Sequence, residues 1–273
     1  MTQPQLSLQL YSVKDQLTAD LDGTLARLAE IGLRQVEAFG FVTRAPALAE
    51  SFTRHGLEAR TGHAPLVSEL VRGVGEEMVP APAQADVFAA AQTLGLEIVI
   101  DPYVAPERWL DEGEVAATAD LLNQAAQRAA DHGLRVGYHN HSQEFQASFR
   151  GQTAYEYFVE RLDEEVVLEV DLYWAATAKQ DVSSLLSRLG SRVKALHMKD
   201  GILGPDPFAP GTPRLDPATL DQRPAGLGEL PLLTYLAAAP TTEYAVIEFD
   251  AYDGDIFDGI GRSATYLLAN GVR

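Results

Sequence analysis

The sequence predicts an α/β chain of the (β/α)8-barrel class, on three observations. Eight short apolar runs alternate with longer amphipathic stretches, which implies parallel strands joined by crossover helices. Several amphipathic stretches stop at glycine, where a left-handed C-cap costs little. The 273 residues suit one such barrel, typically about 250 residues, so one domain, 1–273, is expected. No Gly-x-Gly-x-x-Gly follows the first strand, which weakens the rival reading, an open doubly wound nucleotide-binding sheet.

Each element has its own signal. The first strand is LSLQLY (6–11), followed by a helical pattern over 21–31 that Gly32 closes. RQVEAFG (34–40) and LEARTGHA (57–64) are the second and third strands, separated by a helix at 47–56. Glycine and proline mark 65–84 as a long loop with a helical turn. A helix at 86–94 stops at Gly95, before the fourth strand, EIVIDPY (97–103). An Ala-rich helix over 114–132 leads to RVGYHNH (135–141), and a helix over 154–162 leads to VVLEVDLYW (166–174). A helix over 182–189 precedes VKALHMKD (193–200); a Pro/Gly-rich loop then spans 201–228. A helix at 230–238, the eighth strand EYAVIEFD (243–250) and a helix at 256–269 complete the pattern.

Composition excludes several classes. There is no cysteine, so no disulfide framework, Cys-ligated zinc or iron–sulfur site exists. With 21 basic and 39 acidic residues the net charge is −18, which argues against nucleic-acid binding by clustered Lys and Arg. The longest apolar runs fall far short of the roughly 18 residues of a membrane span. The start, MTQPQLSLQLYS, reads as no signal peptide, so a cytoplasmic protein is expected. A homo-oligomer is compatible with the sequence.

Active sites of parallel barrels lie at the C-terminal strand ends. The polar residues there are Gln9, Tyr11, Glu37, His63, Asp101, His139, His141, Asp171, His197, Lys199, Glu248 and Asp250. Side chains alternate faces along a strand, so His139 shares a face with His141, Glu169 with Asp171 and Tyr173, His197 with Lys199, and Glu248 with Asp250. One such residue alone is ordinarily a capping or hydrogen-bonding group. His, Asp, His and Glu on four successive strands make a nitrogen–oxygen set that suits Mn2+, Co2+, Fe2+ or Zn2+ better than Mg2+ or Ca2+. Glu169 reads better as a partner for a neighbouring His or Lys, and Glu37 and Asp101 also read as helix N-terminal residues. Tyr173 and Trp174 suit the core or a sugar-binding wall.

These residues carry a resemblance. LQLYSVKD (8–15), GYHNHSQEF (137–145), LEVDLYW (168–174), ALHMKD (195–200), AGLGELP (225–231) and VIEFD (246–250), in this order, resemble the sugar phosphate isomerase/epimerase family of xylose-isomerase-like TIM barrels. The resemblance implies one divalent metal, Mn2+ foremost, with Co2+, Fe2+, Zn2+ or Mg2+ as alternatives. Asp171, His197 and Glu248 match its ligands on strands six to eight. The usual strand-five Glu is replaced by His139, which leaves His139, Glu144 or water as the fourth ligand, while His141 matches a later active-site His.

The implied activity is isomerisation or epimerisation of a small keto-sugar or polyol through a metal-stabilised enediolate. The catalytic residues would be Glu248, His139, His141 and Lys199. Lys199, one of only four lysines, would stabilise an enediolate oxygen or pair with Asp200 or Glu169. Gln9, Tyr11, Glu37, His63, Tyr173, Trp174 and Arg262 would line the substrate. The alternative is a metal-dependent lyase, of the inosose- or dehydroshikimate-dehydratase kind, on the same scaffold. A non-catalytic sugar-binding protein is a lesser alternative. The nuclease relatives of the fold need a basic face that this chain lacks.

Overall fold

Eight parallel strands form one sheet in the computed structural model, which describes residues 3–72, 77–209, 211–212, 216 and 219–273. They are β1 (Gln5–Leu8), β2 (Gln35–Phe39), β3 (Glu58–His63), β4 (Ile98–Asp101), β5 (Arg135–His139), β6 (Val167–Asp171), β7 (Val193–His197) and β8 (Tyr244–Ile247). The spatial order 1-8-7-6-5-4-3-2 rolls the sheet into a barrel. A parallel bridge between Gln9 and Glu37 joins β1 to β2, and Gln9 Nε2 donates to Glu37 Oε1 at 2.7 Å beside it. The barrel helices are α1 (Leu21–Ile31), α2 (Ala45–His55), α3 (Gln84–Leu94), α4 (Glu112–Ala130), α5 (Ala154–Val159), α6 (Val182–Leu189), α7 (Leu232–Ala238) and α8 (Ile256–Ala269). Gly95 ends α3 at φ 73°, and its N–H closes the last turn on the carbonyls of Ala91 and Gln92.

Strand alternation divides the interior into layers. Ile98, Ile100, Val167, Ala195, Tyr244 and Val246 form a small apolar cluster, separate from the larger core under the helices. Two residues further along these strands, the inward side chains turn polar: Glu169 follows Val167, and His197 follows Ala195. The register pairs His139 with Glu169 and Asp171 with His197. The apolar plug therefore floors a polar mouth, where Gln9, Glu37, His63, His139, Glu169, Asp171 and His197 are all buried.

Several strands end sooner than their hydrophobic runs. β6 stops at Asp171, whose Oδ1 accepts from Trp174 N at 2.8 Å and starts a helix at Leu172–Thr177. Tyr173 therefore does not continue the Glu169–Asp171 face. β1 stops at Leu8; Gln9 Oε1 accepts from Tyr11 N, and Leu10–Val13 is a 3-10 turn. Both expected long loops contain antiparallel pairs: Leu70–Arg72 with Met78–Pro80, and Asp200–Ile202 with Asp221–Arg223. No helical turn appears among the described residues of 65–83; residues 73–76 of that loop lie outside the description. Among the described residues, no helix is long and apolar enough to cross a membrane.

Asp200 fastens the loop after β7. Its Oδ1 accepts from the N–H groups of Gly201 (2.8 Å) and Leu230 (3.2 Å), and its Oδ2 from Gly226 (2.9 Å) and Gly228 (3.1 Å). A Cβ on Gly228 would lie 2.1 Å from Asp200 Oδ1, so glycine is required for this close approach. Asp200→Ala strands four amides, and thermal or urea unfolding should show a loss of about 2–4 kcal/mol. An unchanged unfolding midpoint would contradict this role.

Candidate functional site

The polar mouth is a two-layered cluster of buried carboxylates and imidazoles. In the inner layer, Glu169 Oε2 lies 2.6 Å from His63 Nε2, 3.0 Å from His139 Nδ1 and 3.1 Å from His197 Nε2. Glu37 Oε1 lies 2.8 Å from His197 Nε2 and 3.2 Å from His63 Nε2. The imidazoles of His63 and His197 stack at 5.4 Å with planes 8° apart.

In the outer layer, His197 turns its other nitrogen, Nδ1, to Glu248 Oε2 at 2.5 Å and to Asp171 Oδ2 at 3.9 Å. His139 Nε2 is also 3.9 Å from Asp171 Oδ2. Lys199 Nζ lies 2.9 Å from Asp171 Oδ2, 2.9 Å from Glu248 Oε2 and 2.8 Å from Asp250 Oδ2. Its expected partners differ: Asp200 is occupied by loop amides and Glu169 by imidazoles. Gln222 holds Asp250 from behind, donating Nε2 to Oδ2 and accepting from the Asp250 amide.

Burial and neighbouring charge set the protonation of these groups. Burial opposes a charged His63, but Glu37 and Glu169 outweigh it and raise its pKa to about 10. Burial also opposes a charged Lys199, which Asp171, Asp250 and Glu248 nevertheless hold well above the usual range. Glu37 and Glu248 shift downward: burial pushes both up, but His63 and His197 outweigh it at Glu37, and Lys199 and His197 at Glu248. Burial dominates at Asp171, which rises to about 6 despite Lys199 and His197. Burial lowers His139 and His141, with His197 adding to it at His139 and Lys199 at His141. His141 falls to about 3.

An aromatic wall rises above the cluster. His141 lies 5.9 Å from Trp174 and 5.7 Å from Phe208, ring centre to ring centre. Trp174 is fully buried, with Lys199 Nζ 5.7 Å from its ring centre. Trp174 Nε1 and His141 Nδ1 are buried with no hydrogen-bond partner. Tyr173 instead donates its hydroxyl to the Ile202 carbonyl. Tyr11 stands half-buried at the rim, edge-on to Phe39, with Lys14 Nζ 4.0 Å over its ring.

The structure thus brings together Gln9, Glu37, His63, His139, His141, Asp171, Trp174, His197, Lys199 and Glu248. Arg262 does not join them: it sits on α8, with half its side chain exposed and Asp258 as its ion-pair partner at 3.7 Å. Asp101 holds the β3 loop, accepting from the amides of Leu66 and Val67, and is no helix cap. Phe208 had no sequence signal, and Asn140 carried one only as part of the GYHNHSQEF run; its Oδ1 accepts from Asp171 N and ties the ends of β5 and β6 together.

The donor set fits a divalent cation. One ligand atom each from His139, Asp171, His197 and Glu248 lies within 4.8 Å of the others, and two imidazoles with two carboxylates suit a first-row metal. His63, His139, Glu169 and His197 form a second such group. Glu144, the other fourth-ligand candidate, is turned away: Tyr138 Oη donates to its Oε1 at 2.8 Å and His141 N to its Oε2 at 2.9 Å.

A family model described as xylose isomerase-like TIM barrel matches residues 25–235. Among solved structures, a sugar phosphate isomerase/epimerase from Parabacteroides distasonis is similar at 19% identity and a TM-score of 0.77, covering 100% of this chain and 99% of its own. An IolI protein with a bound zinc atom is similar at 16% identity and a TM-score of 0.70, covering 97% of each chain. A probable 3-DHS dehydratase, AsbF from Bacillus anthracis, is similar at 12% identity and a TM-score of 0.71, covering 97% of this chain and 98% of its own. No protein of curated function matches the sequence.

Glu144 gives a pH prediction. Burial raises its carboxyl from 4.5 to about 8, so the folded state keeps a proton that the unfolded chain has lost. Stability from this proton is present below about 4.5 and drains away as pH climbs to about 8. Glu144→Gln is neutral throughout and lacks that slope. Unfolding midpoints should show wild type losing ground to the variant across this window, whereas a constant difference would contradict the assignment.

Proposed function

The chain belongs to the xylose isomerase-like TIM-barrel family, and on that footing we propose that it is a divalent-metal-dependent isomerase or epimerase of a small keto-sugar or polyol. One observation carries the reading: His139, Asp171, His197 and Glu248 converge at the barrel mouth, with Lys199 and the unpaired His141 Nδ1 beside them. These four residues would hold the metal, with Mn2+ the first choice among N/O-binding ions. A divalent ion there supplies Lewis acidity to a substrate carbonyl and the hydroxyl next to it.

The chain's own residues supply the proton chemistry. Lys199 and His197 keep Glu248 ionised, the form in which its carboxylate would accept the proton from the carbon beside the carbonyl. His141 stays neutral, and its free Nδ1 suits a proton transfer on the other face. His139 is tied to Glu169 by one nitrogen and so fits a ligand better than a shuttle. Lys199, an ammonium at neutral pH, stabilises the oxygen that gains negative charge. Trp174 and Phe208 give an apolar wall for the faces of a sugar ring, and the Trp174 indole N–H is free to donate to a hydroxyl.

Proton NMR of keto-sugars and inosose-type compounds in deuterated water tests this reading. Solvent deuterium should enter the carbon beside the carbonyl while every oxygen is retained. A new alkene signal would identify a dehydratase, and ligand binding without exchange a sugar-binding protein. Asp171→Ala and Glu248→Ala should each lose metal by elemental analysis and lower turnover by at least about 10³-fold, roughly 4 kcal/mol of barrier. A variant that keeps stoichiometric metal and full turnover would sink the site.

A further inference from the structure

We propose that Glu169 is a positioning residue that fixes the ring protons of His139 and His197, so that the outer layer takes the metal and the inner layer remains a proton-filled bracket. The inference rests on the metal reading above. The two candidate groups share both histidines, and each histidine turns one nitrogen to each layer. His139 sends Nδ1 to Glu169 Oε2 at 3.0 Å and Nε2 towards Asp171. His197 sends Nε2 to Glu37 Oε1 at 2.8 Å and Glu169 Oε2 at 3.1 Å, and Nδ1 towards Glu248 and Asp171.

A carboxylate accepts from a ring N–H, so His139 Nδ1, facing Glu169, carries that ring's proton; both nitrogens of His197 face carboxylates, and there a metal in the outer group would take the place of the proton on Nδ1. With N–H kept on the inner side of both rings, the outer nitrogens are the ones left to a metal. Metals in both groups would need both nitrogens of each ring without a proton, which rings that keep their inner N–H exclude. Three features favour the inner side for the protons. Glu169 Oε2 gathers nitrogens from His63, His139 and His197 within 2.6–3.1 Å. Glu37 Oε1 adds a second acceptor for His197. The register fixes Glu169 beside His139 and Asp171 beside His197, so one strand alternation delivers the proton acceptor and the ligand to successive layers. Metal-bound histidines commonly donate the remote N–H to a carboxylate in this way, and loss of that partner costs about 10–100-fold in metal affinity.

The test uses the full chain, stripped of metal and titrated with Zn2+, in wild type and Glu169→Gln. The substituted side chain would lack the charge and present an amide donor that competes for a ring lone pair. Wild type should bind one Zn2+. The variant should also bind one, about 10–100-fold more weakly, with a near-normal unfolding midpoint once loaded. Nitrogen-15 NMR of the Zn2+-loaded wild type should show metal on His139 Nε2 and His197 Nδ1, with protons on the opposite nitrogens; this readout stands even if the variant fails to fold. Two Zn2+ per wild-type chain or unaltered affinity in Glu169→Gln overturns the proposal while leaving the functional reading intact; reversed ring assignments overturn the proposal together with the Asp171 and Glu248 ligand set. No Zn2+ binding by wild type overturns both.

Discussion

Five carboxylates, those of Glu37, Glu169, Asp171, Glu248 and Asp250, are packed into the barrel mouth against one lysine and three histidines. Four of the five are less than a tenth exposed, where an unpaired charge is costly. The rest of the site follows from meeting that demand. Lys199 spans three carboxylates, His63 spans two, and His197 joins the two layers. A divalent cation would complete the balance in the outer layer, where Asp171, Glu248 and the outer nitrogens of His139 and His197 converge.

The barrel makes this crowding affordable by rigidity. The apolar plug of Ile98, Ile100, Val167, Ala195, Tyr244 and Val246 closes the interior below, so the polar layer cannot sink. His141, Lys199, Glu248 and Asp250 lie past the ends of their strands, and hydrogen bonds hold them there in place of the sheet ladder. Asn140 braces Asp171, Gln222 braces Asp250, and Asp200 gathers the loop after β7. Preorganised charge of this kind is what proton abstraction beside a carbonyl requires.

Much of this was legible in the sequence because strand alternation is a local rule. The eight strands, the glycine-terminated helices and the placing of His139, Asp171, His197 and Glu248 at one end followed from period and spacing. The point at which a strand stops is less legible. Asp171 caps a helix with its own side chain, which removes Tyr173 from the expected face, and the hydrophobic run LEVDLYW gives no hint of it. Three-residue pairs such as Leu70–Arg72 are too short to show alternation. Arg262, expected to line the substrate, lies on the surface of the last helix beside Asp258. Glu169 read as a partner for a nearby His or Lys; its convergence with histidines of β3, β5 and β7 depends on register around the barrel, which a single sequence does not carry.

Diffraction from crystals loaded with Mn2+, measured for anomalous scattering, tests the two-layer arrangement most directly. One peak should lie among His139 Nε2, Asp171, His197 Nδ1 and Glu248, with the inner group free of metal. A peak beside His63 and Glu169, or none at full Mn2+ loading, would contradict it.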